Sequence, residues 1–163
     1  AGSKAAADRL AFSYWNTFKL PIAIIRPFNT FGPRQEYDVI ALFTRLALAG
    51  KDITIDGEGS QTRDFLFVVD TINGFLTMGY HPNAIGQAVN FGTGKETSIA
   101  ELASKIIEFS GSSSKKIHRE QRAAQVNNVC CNPSLAKELL GWEAKISIDE
   151  GLKETIECAK AKK

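Results

Sequence analysis

The chain of 163 residues is poor in the residue types that mark several classes of protein. It has three cysteines, the adjacent Cys130 and Cys131 and the distant Cys158, too few and wrongly spaced for a disulfide framework or a paired CxxC zinc site. Its two histidines, His81 and His118, have no cysteine or carboxylate at ligand spacing, so no metal is expected. Charge of one sign is also missing. Twenty Lys and Arg face 18 Asp and Glu for a formal +2, without the excess that holds nucleic acid by counterion release. No apolar run approaches the ~20 residues that span a bilayer, and the first residues lack the basic-then-apolar plan of a signal peptide. The expectation is a chain with no nucleic-acid and no membrane partner, in a reducing cytoplasm.

What is present is apolar material, 44% of residues, enough for a sizeable core in a chain near the ~150 residues of one domain. Strand-length apolar runs alternate with segments of helical period, which predicts an α/β fold with a mostly parallel sheet. Residues 3 to 17 read as a helix with Ala6, Leu10 and the Phe12 to Trp15 stretch on a buried face. After Pro21, the β-branched run to Phe28 reads as a buried strand feeding a loop. A helix follows from Asp38 to Ala49, stopped by Gly50, then a short strand from Ile53 to Ile55. The run FLFVV predicts a strand, Asp70 or Thr71 the cap of the next helix, and QAVNF a strand leading into the turn GTGKE. Three helices close the chain. Ser98 with Glu101 and Ser147 with Glu150 read as capping boxes, and Asn132, Pro133 and Gly141 as cap, first position and stop of the helix between them. The SGSSSKK stretch reads as a flexible loop.

Two glycine-rich stretches fail as phosphate loops. A Walker A loop ending in Gly94-Lys95 would need Gly where Val89 stands and Ser or Thr where Glu96 stands, and Gly57-Glu58-Gly59 would need Gly at Thr62 to make a dinucleotide fingerprint. Turn glycines are the better account. No GxSxG elbow is present, and no nucleophile, base and orienter can be named together.

Five strings stand in order: GSKAAAD at the start, RPFNTFGPRQ at 26 to 35, GEGSQTRDFLFVVD at 57 to 70, VNFGTGKETSIAEL at 89 to 102, and LLGWEAKISIDEGLKETIE near the end. Together they resemble the C-terminal half of the extended short-chain dehydrogenase/reductases, the NAD-dependent nucleotide-sugar epimerases, 4,6-dehydratases and decarboxylases. The resemblance covers essentially the whole chain. It implies the C-terminal part of a Rossmann-like enzyme, a sheet plus a helical substrate-binding region, without the N-terminal glycine-rich βαβ unit. Residues 1–163 would then be the nucleotide-sugar-binding part, beginning inside the YxxxK helix. Lys4 matches the lysine of that motif, and the matching tyrosine would fall one position before Ala1.

The resemblance implies a role for each matching residue. Lys4 would hydrogen-bond the nicotinamide ribose and lower the tyrosine pKa, since a nearby cation favours the phenolate. Pro27 and Phe28 would pack beside the nicotinamide. Asn29 would reach the diphosphate of the substrate, and Arg63 and Arg122 would close on it as planar, bidentate forks. Arg34 could add charge to the same pocket. Asp64 and Asp70 read as structural caps. Three positions depart from the family pattern: Asp56 stands where an aromatic often stacks on the nucleobase, Asp38 where an Arg would support the nucleotide, and Gln125 where an Asp often holds the ribose. The expected reaction of the parent is transient oxidation at sugar C4 with NAD as cofactor, the chain alone being inactive. The alternatives are a stand-alone nucleotide-sugar-binding domain, a self-associating one or one paired with a separate N-terminal half, and a decayed remnant.

Overall fold

The computed structural model describes residues 2–121 and 126–161. In chain order the elements are α1 (Gly2–Phe18), β1 (Ile24–Pro27), β2 (Asn29–Phe31), α2 (Val39–Leu48), β3 (Ile53–Asp56), β4 (Thr62–Arg63), β5 (Phe65–Phe67) and α3 (Val68–Tyr80). There follow a 3-10 turn at Pro82–Ala84, β6 (Ala88–Phe91), β7 (Thr97–Ser98), α4 (Ile99–Ser110), β8 (Lys116–Arg119), β9 (Asn128–Val129), α5 (Ser134–Leu140) and α6 (Ile148–Lys160). The fold is α/β. Among the described residues β1 pairs with β6, β2 with β5, β3 with β8 and β4 with β9, all parallel, while β4 and β7 are antiparallel. The parallel expectation therefore describes the pairing well, but the strands form four small sheets rather than one.

Strand β5 sits between two cores because its side chains alternate across the sheet. Phe65 and Phe67 enter a cluster with Phe31, Ile40, Phe43, Ile55, Leu102, Ile106, Leu152 and Ile156, which unites α2, α4 and α6. Leu66 enters the other cluster, with Met78, Val89, Phe91, Leu140 and Trp142. Phe31 meets Phe67 edge-on at 5.5 Å, and Phe91 meets Trp142 at 4.6 Å, the geometry that aromatic quadrupoles favour.

Several expectations are corrected. Helix α1 forms, but none of its residues is buried, and Leu10 is 60% exposed. Trp15 is half-buried against Gly86, while Leu10, Phe12, Tyr14 and Phe18 are left exposed. The FLFVV run does not continue as a strand to Val69: α3 begins at Val68, so neither Asp70 nor Thr71 is its cap. Asp70 is buried one turn into the helix, where its carboxylate accepts from the backbone amides of Lys145 and Ile146 at 2.9 and 2.8 Å. Asn132 accepts from the Ser134 amide at 3.1 Å while Pro133 takes the cap position, a shift of one residue. Ser147 and Glu150 make the full reciprocal box, and Ser98 accepts from the Glu101 amide at 3.1 Å. The serine-rich loop is tied down, with Ser114 buried and the Lys115 amide donating to Asp52 at 2.8 Å, and it leads into β8, which composition did not announce.

Candidate functional site

The site grows from the C-terminal end of β1, the edge at which open α/β sheets place ligands. Helix α1 runs antiparallel to this strand. Trp15 lies against Gly86, whose amide donates to Ile22 O before the strand begins, and Asp8 accepts from Arg26 inside it at 2.5 Å. Lys4 is one turn back from Asp8, about 6 Å along the helix, and Phe28 is two residues beyond Arg26, about 7 Å along an extended chain. Lys4 and Pro27 are exposed, and Phe28 is half-buried, its amide donating to Phe91 O at 2.8 Å.

The next residue, Asn29, begins β2, opposite Phe65 in the register with β5. Two residues before Phe65 comes Arg63, and both Asn29 and Arg63 line one cavity of ≈ 530 Å³. Its other charged wall residues are Glu36, Asp38, Asp56, Arg45 and Arg119, with Tyr37 and Gln61 beside them. Arg63 donates through Nη1 to the carbonyls of Thr62 and Asn127 at 2.6 and 3.4 Å, and it makes no ion pair with a carboxylate among the described residues. Its guanidinium is held in place by neutral carbonyls, which leaves it without a direct carboxylate partner among the described residues.

Behind Arg63 the backbone is anchored by Asp64, which is fully buried. Its carboxylate accepts from the amides of Thr93 and Gly94, both at 2.9 Å, from Thr93 Oγ1 at 2.6 Å, and from the Cys131 amide at 3.2 Å. Three distant segments meet at this one side chain. Burial and the neighbouring Asp64 push the Cys131 thiol up to about 12. In front of Arg63, the chain between β3 and β4 turns at Gly57 and Gly59, whose φ angles of 65° and 73° suit residues without a Cβ. Gln61 closes the turn by donating to Asp56 O at 3.2 Å. Strand β8 pairs Arg119 with Asp56, and the two side chains form an ion pair through Nε.

The sequence-predicted residues are brought together in part. Asn29 and Arg63 share the cavity; Pro27 and Phe28 precede Asn29 directly in the chain, and Lys4 lies on α1, outside that cavity. Arg34 lines a different cavity of ≈ 520 Å³ with Thr44, Thr155 and Cys158. Arg122 and Gln125 lie outside the described residues. A third cavity of ≈ 570 Å³, beside Trp142, contains none of the predicted residues, and two of its lysines are engaged, Lys105 with Asp149 and Lys137 with Glu143. Sequence reasoning missed Tyr37, Arg45, Gln61 and Arg119. KIHR carries no local strand signal, and nothing local pointed to its pairing with β3, 63 residues away. Among the described residues no cluster of His, Cys, Asp and Glu has the makings of a metal site, and no helix is long and apolar enough to cross a membrane.

Comparison with known proteins gives this geometry its context. The family description GDP-mannose 4,6 dehydratase matches residues 1–155. A UDP-glucose 4-epimerase of Mycolicibacterium smegmatis is 35% identical over 96% of this chain and 51% of its own length, and the human dTDP-D-glucose 4,6-dehydratase is 35% identical over 96% and 47%. The crystal structure of UDP-glucuronic acid 4-epimerase from Bacillus cereus, in complex with UDP-glucuronic acid and NAD, superposes with a TM-score of 0.91 at 29% identity, over 98% of this chain and 52% of that one. The chain thus spans about half the length of the relatives it matches. Matched over nearly all of its length, in sequence and in fold, the chain belongs to the NAD-dependent nucleotide-sugar epimerase/dehydratase family of short-chain dehydrogenases/reductases.

Proposed function

We propose that this chain is the C-terminal, nucleotide-sugar-binding part of an epimerase or dehydratase that oxidises its substrate transiently at sugar C4. The observation that carries the reading is the meeting of Asn29 and Arg63 in one cavity, with Arg63 in no ion pair with a carboxylate among the described residues. A diphosphate offers Arg63 the direct anionic partner it lacks, and a guanidinium fork matches its oxygens. The amide of Asn29 adds a neutral donor beside it.

NAD is the cofactor of this family, and when bound it accepts a hydride from the sugar. Lys4, Pro27 and Phe28 fit the nicotinamide end of it: a half-buried ring directly precedes Asn29, and an exposed ammonium lies on the helix that Asp8 ties to β1 through Arg26. A sugar whose diphosphate is held at Arg63 is thereby directed toward that end. The glycine-rich fingerprint that would hold the cofactor's pyrophosphate is not in these 163 residues. The chain alone is therefore expected to bind nucleotide sugar without turning it over. The other half of a family enzyme would also cover the apolar positions of α1 and of α3, where Ile72, Phe75 and Leu76 are exposed.

Titration calorimetry with UDP-glucose, dTDP-glucose and GDP-mannose tests the binding reading. At least one is expected to bind, and Arg63→Ala to weaken it about tenfold to hundredfold, the worth of a charge-assisted hydrogen bond. Absence of binding by all three overturns it. Epimerised or dehydrated product formed by the isolated chain with NAD at enzyme-like rates would overturn the expected inactivity.

A further inference from the structure

The cavity that holds Asn29 and Arg63 has another guanidinium on its wall, Arg119, at the end of β8. It differs from Arg63 in two ways. Its charge is already matched by Asp56, and that contact runs through Nε, so the carboxylate fixes one edge of the guanidinium plane. The partner is itself held: Asp56 faces Arg119 in the β3–β8 register, and its carbonyl accepts from Gln61. The Arg119 side chain keeps 54% of its surface exposed, and Nη1 and Nη2 have no partner among the described residues.

A guanidinium can meet a nucleotide with its fork on phosphate or with its flat face on a base. A carboxylate beside the fork repels phosphate oxygens and offsets the attraction of the guanidinium for them, whereas it leaves the π-face untouched and restrains it from swinging. We propose that Arg119, oriented by Asp56, is the platform on which the nucleobase of the bound nucleotide sugar stacks, while Arg63 holds the diphosphate. This assignment rests on the reading of the cavity as a nucleotide-sugar site. It makes Arg119 a binding residue and Asp56 the residue that positions it. It also predicts tolerance among bases, because every base presents a π-face.

The test compares UDP with inorganic pyrophosphate, which has the phosphates and no base, by titration calorimetry on the full chain. Arg119→Ala is expected to weaken UDP about tenfold, the usual scale of a lost stacking partner, and to leave pyrophosphate binding within about twofold. Arg119→Lys keeps the charge and loses the plane, so it should weaken UDP as much as the alanine variant. Arg63→Ala should weaken both ligands. Equal weakening of UDP and pyrophosphate by Arg119→Ala, full retention of UDP affinity in that variant, or rescue by Arg119→Lys would each overturn the stacking assignment while leaving the nucleotide-sugar reading intact. Failure of the unaltered chain to bind UDP, dTDP or GDP would overturn both. Arg119 is exposed on a surface strand, and matching circular dichroism spectra and unfolding midpoints will show that its variants fold.

Discussion

Asp64 shows how a single side chain can serve as a junction. A carboxylate taken wholly out of water is costly unless its lone pairs are filled, and here three backbone amides and a hydroxyl fill them. Asp64→Asn puts an NH2 where acceptors are required and leaves amide donors of Thr93, Gly94 or Cys131 unpaired, so a loss of about 3 kcal/mol is expected in urea unfolding. The neighbouring Cys131 gives a pH signature. Its thiol is raised from an ordinary 9.0 to about 12 by burial first and by Asp64 second, so the folded state favours the protonated form. That stability is present below the unfolded pKa and is lost as pH climbs through the interval from about 9 to about 12. Cys131→Ala is expected to show a shallower loss of stability over that range than the unaltered chain. At this scale the sequence was readable for residue type and not for partner: Asp64 and Asp70 were recognisable as structural, but that Asp64 would hold residues 93, 94 and 131 depends on contacts that no local pattern encodes.

Elements were legible where their signals are local. The alternation of apolar and polar residues in β3 and the stripe of α4 follow from period alone, and Ser147 with Glu150 specify the start of α6 through a reciprocal box. The Ser147 hydrogen bonds hold the Glu150 carboxyl below its ordinary range, so the contribution of this box is present above the unfolded pKa and is lost as pH falls through the folded one. Glu150→Gln should lessen the fall of α6 stability in acid, read as amide exchange along Ile148–Lys160 at decreasing pH. The strands that escaped notice, β2, β4, β7, β8 and β9, are two to four residues each and exist because another chain segment pairs with them. Packing between elements imposes a further requirement at Gly151, where a Cβ would come within 2.6 Å of Phe67 and 2.7 Å of Phe31. Alanine is the better helix former by about 1 kcal/mol, yet Gly151→Ala is expected to destabilise the chain by about 1–3 kcal/mol, because the aromatic pair beneath α6 must shift. Denaturant titration of this variant decides between propensity and packing.

At the scale of the whole molecule, the two cores on either side of β5 contrast with the outward faces of α1 and α3. A folded domain seldom leaves so many large apolar residues uncovered, and Leu10, Phe18, Ile72, Phe75 and Leu76 are all more than half exposed. On its own the chain is expected to self-associate through these faces as its concentration rises, and Phe75→Lys with Ile72→Lys to reduce that association. Sedimentation equilibrium measures it, and a strictly monomeric unaltered chain would count against the need for a cover.

The sequence by itself determined the α/β class, most helix boundaries and the family, because caps, glycines at turns, hydrophobic period and the order of short motifs are all written within a few residues of one another. It also singled out Asn29 and Arg63. Tertiary structure alone decided that these two share a cavity, that Arg34 faces another, that α1 exposes its apolar side, and that Arg119 is drawn to Asp56 beside them. The physical reason is that strand pairing and charge pairing join residues separated by tens of positions, and the free energy of such contacts depends on the completed fold rather than on neighbours in the chain.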